Sequence, residues 1–272
     1  MMYEFPLVSA TLVRRYKRFL ADVDMPSGEQ QTVHCPNTGS MLRCMPESAA
    51  IWLLPSLNKK RKYPLTWEWV LVDQQYRACI NPSRANILIK EALGDGFIPS
   101  LFSEQPDCYE VKPEPRVADG RLDFAICDIE SGQVVEYIEV KSVTLKVDEN
   151  SRLGLFPDAK TDRGVKHLKR LKALRQQGVS TRLIFCVMHE GIDEVGIAES
   201  IDPEYAVNLT DAYQGGVAIE AYGVEFIDDG QQQGMAIKRS IPVTIPAPIP
   251  ATTPATTPAT TPASIPLPQS SQ

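Results

Sequence analysis

The sequence predicts a mixed α+β fold with two domains, a small all-β domain followed by an α/β domain. Residues 1–80 contain short apolar or alternating runs separated by turn-forming segments, which is typical of a small barrel. Residues 81–240 instead alternate helical with strand patterns. From residue 241 the composition changes to proline and threonine, so the predicted boundaries are 1–80, 81–240 and 241–272.

The first domain is predicted to be a five-stranded OB-type barrel. Its strand-length runs are LVSATLVRRYKRFLADVDM, QTVHC, AAIWLLPS and LTWEWVLV, and no long helical pattern interrupts them. Such barrels bind single strands by stacking bases on aromatic rings beside a basic groove. The candidate rings, most of which we expect in the core, are those of Tyr16, Phe19, Trp52, Tyr63, Trp67 and Trp69.

The second domain is predicted to follow the order α, β, β–β hairpin, α, β, α, β. The first helix is SRANILIKEALGDG, with Ser83 as a candidate N-cap and Gly94 at its end. The hairpin joins RLDFAICDI to VVEYIEVKSVTL, and a helix with a row of leucines at 168, 171 and 174 follows it. The run TRLIFCVM is suited to a buried central strand.

The last segment, 241–272, contains nine prolines and a repeated ATTP motif. Such a composition cannot bury a core, so we predict a disordered or polyproline-like tail without a chemical role.

Targeting and redox patterns predict a soluble, cytoplasmic protein with no membrane partner. No apolar run approaches the roughly 20 residues that cross a bilayer. The first residues lack the pattern of a secretory signal. The six cysteines are scattered without a CxxC pair, which predicts free thiols rather than disulfides or a zinc site.

The charge distribution favours a nucleic-acid partner more than the net charge of −6 does. Residues 1–100 carry 12 Lys and Arg against 9 Asp and Glu, whereas the remaining 172 carry 16 against 25. Three basic clusters are candidate phosphate contacts, although each is also compatible with an ordinary solvated surface. Their residues are Arg14, Arg15, Lys17 and Arg18, then Lys59, Lys60, Arg61 and Lys62, and finally Lys166, Lys169 and Arg170.

The hairpin carries the strongest chemical signal, with Asp123 on its outgoing arm and Glu139 and Lys141 on its returning arm. Glu139 and Lys141 point to one face because strand side chains alternate. Asp123 shares that face only if the loop is odd or a bulge lies near residues 130–133. Two carboxylates would then suit Mg²⁺, and Lys141 would orient a water or neutralise developing charge. The alternative is an exposed Glu–Lys pair of little consequence.

This arrangement resembles the core of the PD-(D/E)xK nucleases, in which an acid precedes an acid-x-lysine motif on a hairpin. In that comparison Glu91, on the preceding helix, is a candidate additional catalytic acid, and Glu110 is a weaker alternative.

Several ordered blocks together resemble the sugar fermentation stimulation protein family. They are HCPNTGSM (34–41), RKYPLTWE (61–68), SRANILIKEAL (83–93), RLDF (121–124), YIEVKSVTL (137–145), LFPDAKTDRGVKHL (155–168) and DPEYA (202–206). Two departures are mild, since Lys160 stands where the family usually has valine and Asp162 where it often has glutamate.

The resemblance implies an OB-like barrel, a PD-(D/E)xK nuclease-like domain and DNA binding with little sequence preference. It also implies regulation of sugar (maltose) metabolism genes. By position it marks Asp123, Glu139 and Lys141 as the nuclease-like triad, with Asp158 and Arg163 flanking the same cleft.

Three functions follow from these observations. The first is a DNA-binding regulator without turnover, and the second is a Mg²⁺-dependent nuclease, for which Mg²⁺ is a cofactor only if the site is active. A third is a small-molecule sensor, for which the sequence has no sugar-site signature.

Overall fold

The computed structural model describes residues 1–118 and 120–247. The predicted mixed α+β class is confirmed, since a closed β-barrel precedes a mixed sheet flanked by helices. The strands of the first domain are β1 (Val8–Tyr16), β2 (Leu20–Asp24), β3 (Gln30–His34), β4 (Ala50–Pro55), β5 (Leu65–Val72) and β6 (Tyr76–Cys79).

The barrel has the strand order β3-β2-β1-β4-β5, and it closes where His34 of β3 pairs with Thr66 of β5. Closure removes exposed sheet edges, and alternate residues of each strand then fill the interior. We expect most of the six candidate aromatics in the core, but only Trp67 and Trp69 are fully buried; Tyr16, Trp52 and Tyr63 are half-buried and Phe19 is exposed. The two fully buried tryptophans are therefore unavailable for stacking on bases.

The second domain is built on a six-stranded sheet with the order β17-β16-β14-β11-β10-β7. Its central strands β11, β14 and β16 are parallel, and the outer pairs are antiparallel. The bounds are β7 (Tyr109–Pro113), β10 (Phe124–Asp128), β11 (Val134–Val143), β14 (Ser180–Val187), β16 (Ala218–Asp228) and β17 (Gln233–Ile241).

Helices cover both faces of this sheet. They are α1 (Ser83–Gly94), α2 (Leu101–Glu104), α3 (Asp162–Gln176) and α4 (Pro203–Gln214). Helix α1 packs on the face that carries Ile138 and Val140 of β11. Helices α3 and α4 share the opposite core with Val143. Because side chains alternate along a strand, Glu139 and Lys141 point toward the α3 side.

Two small sheets complete the domain. A hairpin joins β8 (Arg116–Val117) to β9 (Gly120–Arg121), and a three-stranded sheet contains β12 (Leu145–Lys146), β13 (Leu153–Phe156) and β15 (Glu194–Ile197). All six cysteines are free thiols, as predicted. Within the described ranges, no helix has the length and apolar character needed to cross a bilayer.

The first part of the predicted tail belongs to the folded domain, which corrects the boundary at 241. Ile241 is buried at the end of β17, and Val243 pairs with Val195 of β15. Val243 and Ile245 pack against the core under α3 and α4. The remainder of the predicted tail, 248–272, lies outside the described residues.

Candidate active site

The hairpin of β10 and β11 contains a bulge close to its turn. Phe124 pairs with Ile138, and closer to the turn β11 carries one extra residue, Val135. The predicted bulge is confirmed, but it lies at Val135, two residues beyond the predicted range of 130–133. Asp123 lies in a bend one residue before the paired register begins, so its side chain is placed by its own hydrogen bonds rather than by strand alternation.

Asp123 is partly buried immediately before β10. Its Oδ1 accepts a hydrogen bond from Asn86 Nδ2 of α1, and its Oδ2 accepts one from the Val140 backbone N, each at 2.8 Å. Burial, together with the nearby charge of Glu139, nevertheless raises the pKa of Asp123 above its ordinary value. A cation bound between the two carboxylates would relieve this repulsion.

Glu139 is buried and held on one side only. Its Oε1 accepts hydrogen bonds from Lys141 Nζ, at 2.5 Å, and from His167 Nδ1. Its Oε2 is buried and has no hydrogen-bond partner among the described residues. Burial opposes ionisation, but the His167 hydrogen bond and the Lys141 charge outweigh it and lower the pKa of Glu139. The result is an ionised carboxylate with one uncommitted oxygen.

His167 is the member of this cluster that sequence reasoning missed. It is buried on α3, and its Nε2 lies 3.4 Å from Nε of Arg163, one turn earlier. With the proton on Nδ1, the ring accepts from Arg163 and donates to Glu139. The available signal was the i, i+4 spacing of Arg163 and His167 beside the leucine row. A histidine on an apolar face is more often simply a core residue, so that signal was weak.

The cluster opens into a cavity of about 330 Å³, called here the Asp123 cavity, which both domains line. Asn37 comes from the barrel, while Asp158 and Arg163 come from the segment that the family resemblance marked. Asp158 fastens the barrel to this wall, because its Oδ2 accepts from Ser40 Oγ at 2.8 Å and from the Met41 backbone N at 3.1 Å.

The donor set fits a hard divalent cation such as Mg²⁺. Asp123 and Glu139 supply carboxylate oxygens, and the unpartnered Oε2 of Glu139 is the buried polar atom that a cation would satisfy. Across residues 1–118 and 120–247, no group of three or more His, Cys, Asp or Glu surrounds a common metal position. Water and substrate would therefore complete the coordination shell, as is usual for Mg²⁺.

Glu91 does not belong to this site, which corrects its candidacy as a catalytic acid. It lies near the end of α1, and its Oε2 pairs with the α-amino group of Met1 at 2.5 Å. The α1 residues that line the Asp123 cavity are Ala85 and Asn86, and Asn86 lies about one turn and a half before Glu91. A helix displays successive turns to different neighbours, so the position of an acid on α1 could not be inferred from the strand motif.

The first basic cluster has mixed roles. Arg14 pairs with Asp22 at 2.9 Å while remaining largely exposed. Arg15 donates to the backbone oxygens of Arg18, Asn37 and Gly39, so it holds a loop of the barrel. Lys17 and Arg18 are exposed in the turn between β1 and β2.

The second cluster, Lys59, Lys60, Arg61 and Lys62, is exposed between β4 and β5. Arg61 donates to Thr66 Oγ1 at 3.2 Å and reaches a second cavity next to the Asp123 cavity.

The third cluster lies on α3. Lys166, Lys169 and Arg170 line a separate cavity of about 340 Å³ with Val117 and Leu174. Since Arg163 of the same helix lines the Asp123 cavity, α3 carries basic residues at both places.

Comparison with known proteins agrees with the architecture. The family model described as SfsA N-terminal OB domain matches residues 13–80, and the one described as Sugar fermentation stimulation protein RE domain matches 83–230. The solved structure of SfsA from Pyrococcus furiosus, in complex with Ca²⁺, has a TM-score of 0.75 and 23% identity, covering 90% of this chain and 98% of that one.

Curated relatives are more similar in sequence. A sugar fermentation stimulation protein homolog from Ectopseudomonas mendocina is 46% identical over 230 residues, covering 85% of this chain and 95% of that protein. A homolog from Pseudomonas paraeruginosa is 44% identical over 243 residues, covering 89% and 99%. The chain therefore belongs to the sugar fermentation stimulation protein family.

Proposed function

We propose that this protein binds DNA with little sequence preference and cleaves its phosphodiester bonds at the Asp123 cavity in a divalent-metal-dependent reaction. One observation carries the proposal. Glu139, whose buried Oε2 has no hydrogen-bond partner among the described residues, lines the same cavity as a second carboxylate, Asp123, and an ammonium, Lys141. A purely structural ion pair does not account for this oxygen, because burying a carboxylate oxygen without a hydrogen-bond partner costs free energy.

Each residue has a distinct role in this proposal. Asp123 and Glu139 would hold Mg²⁺, which when bound makes a water more acidic and neutralises charge on the phosphate. Lys141 Nζ donates to Glu139 and lies at the cavity wall, where it can donate to the attacking water or to a phosphate oxygen. Asn86 fixes the orientation of Asp123, and the Arg163 guanidinium at the cavity wall can bind a phosphate oxygen.

The Ca²⁺ in the Pyrococcus furiosus structure supports a cation in this family, since Ca²⁺ and Mg²⁺ both prefer oxygen ligands. The exposed basic segments 17–18 and 59–62 support phosphate binding. Sequence-tolerant binding would also serve a role in regulating sugar (maltose) metabolism genes.

The second candidate function is DNA binding without turnover. The observation that favours it is the spread of exposed basic residues over both domains, which requires no metal.

The two functions separate in a cleavage assay on single- and double-stranded DNA with Mg²⁺. We expect wild-type cutting, and its loss in Asp123→Ala and Lys141→Ala while DNA binding persists. We also expect affinity to fall steeply between about 50 mM and about 300 mM salt, because binding releases counterions. Salt-independent affinity would contradict DNA binding, and binding without cutting would leave only the second function.

A further inference from the structure

A second cavity adjoins the Asp123 cavity on the barrel side. It measures about 320 Å³ and is called here the Arg61 cavity. Pro82 lines both cavities, so the two are neighbours at the domain junction. The charged residues that line the Arg61 cavity are Arg61, Glu68 and Arg84.

The charge of the Arg61 cavity favours an anion. Arg84 also lines it, but its guanidinium is committed to the buried carboxylate of Glu68 through two hydrogen bonds, at 2.7 and 2.9 Å. Among the described residues the Arg61 guanidinium forms no ion pair and donates one hydrogen bond, to the neutral hydroxyl of Thr66. One uncompensated positive charge therefore remains in the cavity, and an arginine of this kind is a common contact for a phosphate group.

The walls of the Arg61 cavity also suit a planar base. The His34 ring and the apolar side chains of Leu54 and Pro36 lie on the barrel side. Imidazole and apolar side chains are surfaces on which an unstacked base packs, and such stacking needs no particular sequence.

We propose that the Arg61 cavity binds one unpaired nucleotide of the DNA strand whose scissile phosphate occupies the Asp123 cavity. The substrate class is then single-stranded DNA, or duplex with an unpaired segment. A base held in an intact duplex is stacked and paired, so extracting it costs free energy that an unpaired base does not. This inference rests on the proposed function and adds to it the form of DNA that the site accepts.

The test compares Arg61→Ala with Lys59→Ala, which removes the same charge from the same exposed segment but at a position outside the Arg61 cavity. The full-length variants are titrated with a short fluorescein-labelled strand and with its blunt duplex, in EDTA, and binding is followed by anisotropy. We expect wild type to prefer the single strand. Arg61→Ala should weaken single-strand binding by about tenfold or more and duplex binding much less. Lys59→Ala should weaken both slightly and equally.

The nucleotide site would be overturned if Arg61→Ala and Lys59→Ala weakened single-strand binding equally. It would also be overturned if Arg61→Ala weakened binding to the single strand and to the duplex by the same factor. In both cases the proposed function would stand, because wild type would still bind DNA. Absence of salt-sensitive binding to either DNA would overturn both proposals. A urea melt of each variant checks the fold, which we expect to be unchanged because both side chains are exposed.

Discussion

Glu139 has two donors on one oxygen and none on the other among the described residues, and His167 is one of those two donors. If this hydrogen bond orients the carboxylate toward a cation, then His167 is a positioning residue. Partners that orient metal ligands typically contribute about 10- to 100-fold in metal affinity.

His167→Leu should therefore weaken Mn²⁺ or Ca²⁺ binding by about 10- to 100-fold in a calorimetric titration. His167→Asn should retain most of the affinity, because the asparagine amide nitrogen can occupy the place of Nδ1. Equal affinity in the two variants would show that the hydrogen bond to Glu139 does not position it. Matching melting temperatures would exclude a simple loss of fold.

At the scale of elements, Asp22 ties three barrel strands together. Its carboxylate accepts from Thr32 Oγ1 at 2.8 Å, from Arg14 Nε at 2.9 Å and from Tyr16 OH at 3.1 Å. Burial opposes ionisation of Asp22, but these hydrogen bonds outweigh it and lower its pKa.

Because the folded-state pKa of Asp22 is lowered, its stabilisation is present above the ordinary pKa of about 3.9 and is lost as pH falls through the folded value. Asp22→Asn should reduce the free energy of unfolding by about 1–3 kcal/mol at pH 7. The difference should shrink below about pH 4 in urea denaturation. A difference that grows on acidification would contradict this assignment.

The elements also show what the sequence could and could not predict. The strand period placed Glu139 and Lys141 on one face, and the functional hypothesis required the bulge that is found at Val135. Which helix residues reach the site depends on packing: the nuclease comparison points to Glu91 where the structure places Asn86, and the sequence carries only a weak signal for His167.

The predicted start of the tail at residue 241 is wrong for a different reason. Ile241, Val243 and Ile245 alternate with a period of two, which indicates an extended segment packed on one side. The high proline content masked this signal, although proline is tolerated where a segment lies at a sheet edge. The alternating residues pack on the core of the second domain.

At the scale of the whole molecule, Glu68 joins the two domains. It is fully buried on β5 and pairs with Arg84 of α1, while Asn81 and Tyr3 donate to the same carboxylate. Removing one member of a buried ion pair leaves the other charge uncompensated, which costs about 3–5 kcal/mol.

Glu68→Gln should therefore lower the free energy of unfolding by about 3 kcal/mol or more in urea denaturation. The matched control is Glu114→Gln, which breaks an exposed pair with Arg121 at 2.7 Å and should change stability by less than about 0.5 kcal/mol. If the two variants lost similar amounts of unfolding free energy, burial of the Glu68–Arg84 pair would not be what makes it stabilising.

The measurement that most directly tests the central claim is DNA cleavage by wild type, Glu139→Gln and Glu110→Gln, with Mg²⁺ or Mn²⁺ and with EDTA. Glu110 and Lys112 repeat the Glu-x-Lys spacing on β7, where they form a half-exposed pair at 2.7 Å. We predict metal-dependent cutting that Glu139→Gln reduces by about 100-fold or more and Glu110→Gln leaves near wild type. Equal cutting by both variants, or cutting in EDTA, would contradict a metal-dependent site at Glu139.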